Sequence, residues 1–367
     1  MLTLSLVLAL SVPATGVVST TNTGSETFAI RAEHLHLADG TVLDKGLVLV
    51  DGKRIAAVGG GVSVPEGAAL IEHAGHLTAG LIALTEYAGA GGELRDSTRT
   101  ALSGGRLVHA FMPGHSQLKS LLREGITSFV LAPSPGALSA GCTAVVKSAG
   151  ETVVSERAQL HIGLSAASLL PNRKPTSYSG ALRELDQLFA SDKGDFAAAA
   201  RGELPVLLEA SARHEVQRAV AFATQHKLRG AISGAALAGE LAEEIAAAGL
   251  SVISRPRAPG ASQRSIDALL SLSEAGVPFG FGLASPARHA NSLRMSAAQC
   301  VRRGLSPAVA LRSMTADAAR IAGVEGRIGS LAAGRDADLV LWSGPPTDLT
   351  SSVKAVLIDG QLVHGEL

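Results

Sequence analysis

GLSPAVALRSMTADAARIAGVEGRIGSLAAGRDADLVLWSG, residues 304–344, changes its period part-way along. SPAVALRSMTADAARIAG (306–323) spaces its apolar residues as one face of a helix. DADLVLWSG (336–344) is a short apolar run bounded by turn residues, which reads as a strand. The chain therefore leaves a helical region here and enters a β region.

Downstream, SSVKAVLIDGQLVHGEL (351–367) continues the β pattern, with a turn signal at Asp359-Gly360. The other end of the chain has the same grammar. ETFAIRAEHLHLADGTVLDKGLVLVDGKRIAAVG (26–59) alternates apolar and polar residues, with turns at Asp39-Gly40 and Asp51-Gly52. Neither end has enough strands to close a sandwich alone. The expectation is a small composite β-sandwich domain built from residues 25–78 and 325–367. Between them, residues 79–324 alternate short apolar strands with helical patterns: ITSFVLAP, LPVLLEAS, RGAISGA, LSVIS and VPFGFGLAS are each flanked by amphipathic stretches. That alternation predicts parallel α/β architecture, and the length suits a (β/α)8 TIM-type barrel. A doubly wound open sheet is the alternative, but no G-x-G-x-x-G follows a strand to support dinucleotide binding.

Composition excludes some functions. The 367 residues are 46% hydrophobic, 17% charged and 3% aromatic, with 32 basic and 32 acidic residues. A neutral chain with no basic, aromatic-interleaved stripe does not point to nucleic acid. Cys142 and Cys300 form no C-x-x-C and read as buried small residues. MLTLSLVLALSVPATG is an apolar run of signal-peptide length with no Lys or Arg ahead of it. Residues 1–24 are expected to act as a signal peptide-like segment that directs the chain to the periplasm or outside the cell.

Three stretches together resemble the amidohydrolase superfamily, in particular its imidazolonepropionase-like and exported metal-dependent hydrolase branch. They are DGKRIAAVG with VSVPEGAALIEHAGHLTAGLI at the start, EGITSFVLAPSPGALSAGCTAVVKSAG inside, and the 304–344 stretch followed by VKAVLIDGQLV at the end. The resemblance implies a barrel whose strand ends hold one or two divalent metals, often zinc, for hydrolysis of non-peptide C–N bonds. An H-x-H works there because alternate strand residues point the same way.

Carried over residue by residue, the resemblance places three hydroxyls, one carboxylate and one apolar group where those ligands belong. The two strand-1 imidazoles fall on Thr85 and Tyr87, the strand-5 His on Glu209, the strand-6 His on Ser233 and the Asp after strand 8 on Ala284. Glu86 alternates away from Tyr87. No metal and no other cofactor are therefore expected. Glu209 has two readings, a ligand contact or an ion pair with a residue such as Arg213. Lys147 matches a Lys of the resembling stretch and is a candidate contact for an anionic ligand, or an ion-paired Lys.

Other candidates carry less. His34-x-His36 sits in a β strand away from the expected barrel mouth, and His73 and His76 precede the barrel; all four read as structural. His214 and His226 bracket a helix as solvated ends. Ser233 with His289 is a conceivable pair without a motif, since no G-x-S-x-G occurs. LLPNRKPTSYSG (169–180) reads as a mouth loop.

The functional expectation is a protein that has lost metal-dependent hydrolysis and acts as a pseudoenzyme, a binding protein or the partner of an intact paralogue, as a homo- or hetero-oligomer. The alternatives are a repurposed hydrolase using Glu209, or a small-molecule binder with Leu84, Leu283 and Ala284 in its pocket.

Overall fold

A computed structural model describes residues 27–367 except 97, 192, 258–259 and 284–288. The expected leader at 1–24 and the candidate position Ala284 lie outside the described residues. In chain order the strands are β1 (Thr27–His36), β2 (Val42–Asp51), β3 (Arg54–Gly59), β4 (Ala69–Ala79), β5 (Leu81–Glu86), β6 (Ile126–Leu131), β7 (Ala144–Lys147) and β8 (Val153–Ser155). They continue with β9 (Leu160–Gly163), β10 (Val206–Glu209), β11 (Gly230–Ser233), β12 (Ser251–Ser254), β13 (Phe279–Phe281), β14 (Leu339–Trp342), β15 (Val353–Ile358) and β16 (Gln361–Gly365). Among the described residues no helix is long and apolar enough to cross a membrane.

Both ends of the chain meet in one seven-stranded sheet, ordered β16-β15-β14-β4-β1-β2-β3. The seam is antiparallel pairing of β14 with β4, Leu339 opposite Ala79 through Trp342 opposite His76. Alternation along β1 puts Ile30 and Ala32, and after a register shift between Ala32 and His34 also Leu35, into a core shared with Val48, Leu77, Leu339 and Leu357. The strands thus form a single composite sheet rather than two stacked ones.

The middle of the chain is mixed α/β. β9–β13 run parallel in the order β13-β12-β11-β10-β9, and β5 pairs parallel with β6. Alternate strand residues separate into two buried clusters. Ile82, Leu84, Val130, Leu207, Ala231 and Ile253 meet on the inside, whereas Leu81, Phe129, Leu208, Ile232 and Val252 pack outward with the helices. Burial on both faces explains why these strands read as continuous apolar runs. The two sheets touch where the Leu283 N–H donates to the Thr85 carbonyl at 2.8 Å. Gly282 permits that approach, because a Cβ there would lie 1.8 Å from Thr85 Oγ1.

The described strands depart from the expected ring of eight parallel strands after β6. β7 runs antiparallel to β6, and β8 antiparallel to β7. Residues 132–143 contain no helix, so the crossover that would return a parallel strand is missing. The chain turns back as a hairpin instead.

Lys147, the last residue of β7, is fully buried. Its Nζ lies 2.9 Å from Asp336, 3.0 Å from Asp338 and 2.5 Å from Asp359. Asp336 also meets Arg54 and Arg327, each at 2.9 Å. Of the two readings of Lys147, the geometry is that of the ion-paired one: the ammonium is enclosed by carboxylates at the junction with the terminal sheet. Asp338, deeply buried, is pushed up to about 6 by desolvation despite the neighbouring ammonium.

The histidines of the terminal sheet cluster. His36 Nε2 meets His76 Nδ1 at 2.8 Å, the His34 ring lies 4.5 Å from that of His76, and His34 bonds Asp44 at 3.1 Å. Burial first, and then the nearby His76 and His34 rings, lower His36 to about 4; burial also lowers His76.

Two outcomes are expected. Lys147→Met should destabilise the protein by about 3–5 kcal/mol in denaturant titration, because it leaves buried carboxylates without their cation. For His36 the folded value lies below the unfolded one, so its contribution is full above pH 6.5 and is lost as pH falls toward 4. His36→Asn should flatten that acid limb by about 2 kcal/mol, a figure discounted for partial solvent exposure and read from unfolding curves across the window.

Candidate functional site

A cavity of about 690 Å³ opens at the carboxyl ends of β5, β10, β11 and β12. Loops leave the sheet there, so the last side chains of successive strands face a common space. The structure brings Thr85, Tyr87, Glu209 and Ser233 into this one cavity. Leu283 also lines it, next to the undescribed Ala284, whereas Leu84 is fully buried in the inner core beneath. Glu86 is turned away: its Oε1 accepts the N–H groups of Tyr87 at 2.7 Å and Ala88 at 3.0 Å, and burial pushes it up to about 7.

Glu209 is buried and already partnered. Its Oε2 lies 3.3 Å from His161 Nε2, and its Oε1 accepts the Ser165 hydroxyl at 2.5 Å. The Ala140 N–H donates to His161 Nδ1 at 3.3 Å, which makes Nδ1 the acceptor and leaves Nε2 to donate to Glu209. Burial acts to raise Glu209, but the hydrogen bonds from His161 and the Ser165 hydroxyl, together with the charge of Arg255, hold it below the usual carboxylate range. Arg213 is not its partner; that side chain lies 3.8 Å from Glu240.

Sequence reading did not single out His161. It sits in LHIG, a four-residue strand buried throughout, where a lone His between apolar neighbours carries no motif. Its significance comes from the parallel register that places His161 beside Leu207 and two residues from Glu209. The mouth loop 169–180 is not part of the cavity lining; Arg173 donates to the Gly136 carbonyl at 2.9 Å and the Asp96 carbonyl at 3.3 Å. Glu215 anchors the neighbouring rim, accepting the N–H groups of Ser211, Ala212 and Ala166 and the Tyr178 hydroxyl at 2.6–2.9 Å.

The cavity lining is also basic. Arg255 and Arg257 follow β12, and His289 lines the same cavity. Arg257 is buried; it donates to Ser254 Oγ at 2.9 Å and to the Ala236 carbonyl at 3.4 Å. Ser233 and His289 both line the cavity, but no hydrogen bond joins them among the described residues.

The whole architecture is similar to that of an amidohydrolase from Thermotoga maritima, with a TM-score of 0.82 and 20% identity over 92% of this chain and 100% of that one. At that identity the likeness is one of fold. In sequence, the amidohydrolase family profile matches residues 202–363. An imidazolonepropionase of Shewanella woodyi is 41% identical over 80 residues, and one of Rubrobacter xylanophilus is 52% identical over 46. The profile match over part of the chain and the shared fold together support the amidohydrolase superfamily. The matches cover only 20% and 11% of those two imidazolonepropionases, and 20% and 12% of this chain.

The superfamily's divalent metal does not fit the donors present here. Thr85, Tyr87 and Ser233 offer hydroxyls, and both oxygens of Glu209 already accept from His161 and Ser165. No three His, Cys, Asp or Glu converge on a metal-sized space among the described residues, and Ala284–Arg288 supply none of those types. A zinc site uses three or four nitrogen, sulfur or carboxylate ligands.

Glu209 should therefore behave as a structural acceptor. Glu209→Gln should cost about 1 kcal/mol, because the amide oxygen still faces His161 and the Ser165 hydroxyl can reverse. Glu209→Leu should cost about 2–5 kcal/mol by leaving two buried donors without acceptors. Equal losses in chemical denaturation would contradict this arrangement.

Proposed function

We propose that this chain is a small-molecule-binding member of the amidohydrolase superfamily that does not hydrolyse its ligand with a bound metal. The observation that carries the reading is the engagement of Glu209. The position that matches a family metal ligand holds a carboxylate whose two oxygens are taken by His161 and Ser165. Around it the cavity keeps its volume and its walls, with Ala132, Leu207, Ile253, Leu283 and Met295 supplying apolar surface. A concave, largely apolar space with a few polar groups is what a small ligand needs.

On this reading the two α/β sheets are a remodelled (β/α)8 barrel, with the β7–β8 hairpin in place of its third strand. The convergence of Ile82, Val130, Leu207, Ala231 and Ile253 on one inner cluster supports that derivation. The terminal sheet is then the composite β-domain that accompanies the barrel.

The test is metal dependence. Protein purified without chelators or affinity nickel should contain less than about a tenth of an equivalent of Zn, Mn, Fe or Ni, and added zinc should not raise its melting temperature. Near-stoichiometric metal that supports hydrolysis of N-acyl or cyclic amide substrates would overturn the reading.

A further inference from the structure

Arg257 is 6% exposed and lines the cavity, yet no carboxylate answers its charge among the described residues. Its contacts are neutral, the Ser254 hydroxyl and the Ala236 carbonyl, and its Nε is buried with no hydrogen-bond partner. The nearby Cys300 thiol is pushed up to about 11 by burial, stays protonated, and is no counter-ion. A guanidinium always carries its charge, so the fold bears the desolvation of a cation without an internal partner.

The contrast with Arg294 is instructive. Arg294 is equally buried, but it donates to the carbonyls of Pro346, Asp348 and Ser351 at 2.8–3.1 Å, and its guanidinium lies 4.7 Å from the centroid of the Trp342 ring. Arg294 is fully committed to joining its helix to the terminal sheet. Arg257 lacks such a commitment, and its open side faces the cavity together with Arg255 and His289. Arg255 is exposed and bonds only the Ser211 hydroxyl among the described residues, at 3.1 Å.

We propose that the cavity binds a small organic carboxylate, its carboxylate paired with Arg257 and Arg255 and its apolar body against Leu207, Ile253 and Met295. The inference rests on the small-molecule-binding reading above and specifies the ligand class for the same cavity. Charge selects a monoanion: two arginines against the one Glu209 carboxylate leave a single positive charge to be met. The planar fork of a guanidinium matches a carboxylate with two parallel hydrogen bonds, and in a desolvated site such pairing discriminates strongly against a neutral analogue.

The experiment uses the full chain, thermal shift and isothermal titration. The probes are hexanoate, benzoate and phenylacetate, each with its primary amide, and inorganic phosphate and phenyl phosphate as other anions. At least one carboxylate should bind saturably, with its amide about tenfold weaker or worse. Arg257→Gln should abolish that preference and, by removing an uncompensated buried charge, leave the ligand-free melting temperature unchanged or higher. Arg257→Lys keeps the charge without the fork, and should retain the preference for carboxylate over amide with about tenfold weaker binding.

Amides binding as well as carboxylates, phosphates binding better, no response to any carboxylate, a lower ligand-free melting temperature in Arg257→Gln or unchanged affinity in Arg257→Lys would each overturn the proposal. Metal-dependent turnover is a separate readout. It would overturn the non-hydrolytic reading while leaving carboxylate preference to be judged on the binding data.

Discussion

The buried ammonium of Lys147 holds this molecule together at its centre. It ends the strand that departs from a parallel arrangement, and it reaches three aspartates carried by segments beside β14 and β15. Charges this deep are tolerated only when they are matched. Asp336 is matched further by Arg54 from the first half of the terminal sheet and by Arg327 from the segment leading into the second. One ionic network therefore joins the β7 hairpin to both halves of the terminal sheet.

That fixed frame explains how the cavity is built. With the terminal sheet anchored, the parallel strands present their carboxyl ends to one side, and the residues there are set by strand register. Register alone puts His161 next to the end of β10, where it donates to Glu209. The same frame brings the two arginines that follow β12 into the same cavity. The cavity thus combines a carboxylate whose oxygens are already engaged by His161 and Ser165 with two arginines, of which Arg257 bonds only neutral groups among the described residues. In the superfamily pattern the corresponding strand ends converge on a metal; here they converge on hydroxyls, a satisfied carboxylate and a basic lip.

The residues explain which parts were legible in the sequence. Turn residues and alternation located the terminal strands, because half-buried antiparallel strands write their burial into a period of two. The parallel strands were visible as apolar runs between amphipathic helices. The hairpin at β7–β8 was not, since ITSFVLAP and TAVVKSAG are similar apolar runs and nothing local states which way a strand points. The positions of Thr85, Tyr87, Glu209 and Ser233 at strand ends followed from motif resemblance. Lys147 and Arg213 had plausible partners in sequence and different ones in space.

The sequence by itself determined the resemblance to the superfamily, the alternation of strands and helices, and the residue types at the strand ends, because local period and motif spacing are one-dimensional quantities. Tertiary structure decided the direction of β7, the burial of Lys147 among aspartates, the pairing of His161 with Glu209 and, among the described residues, the separation of Arg257 from any acid. Each of these depends on residues brought together from distant parts of the chain, and an electrostatic environment is a sum over neighbours in space.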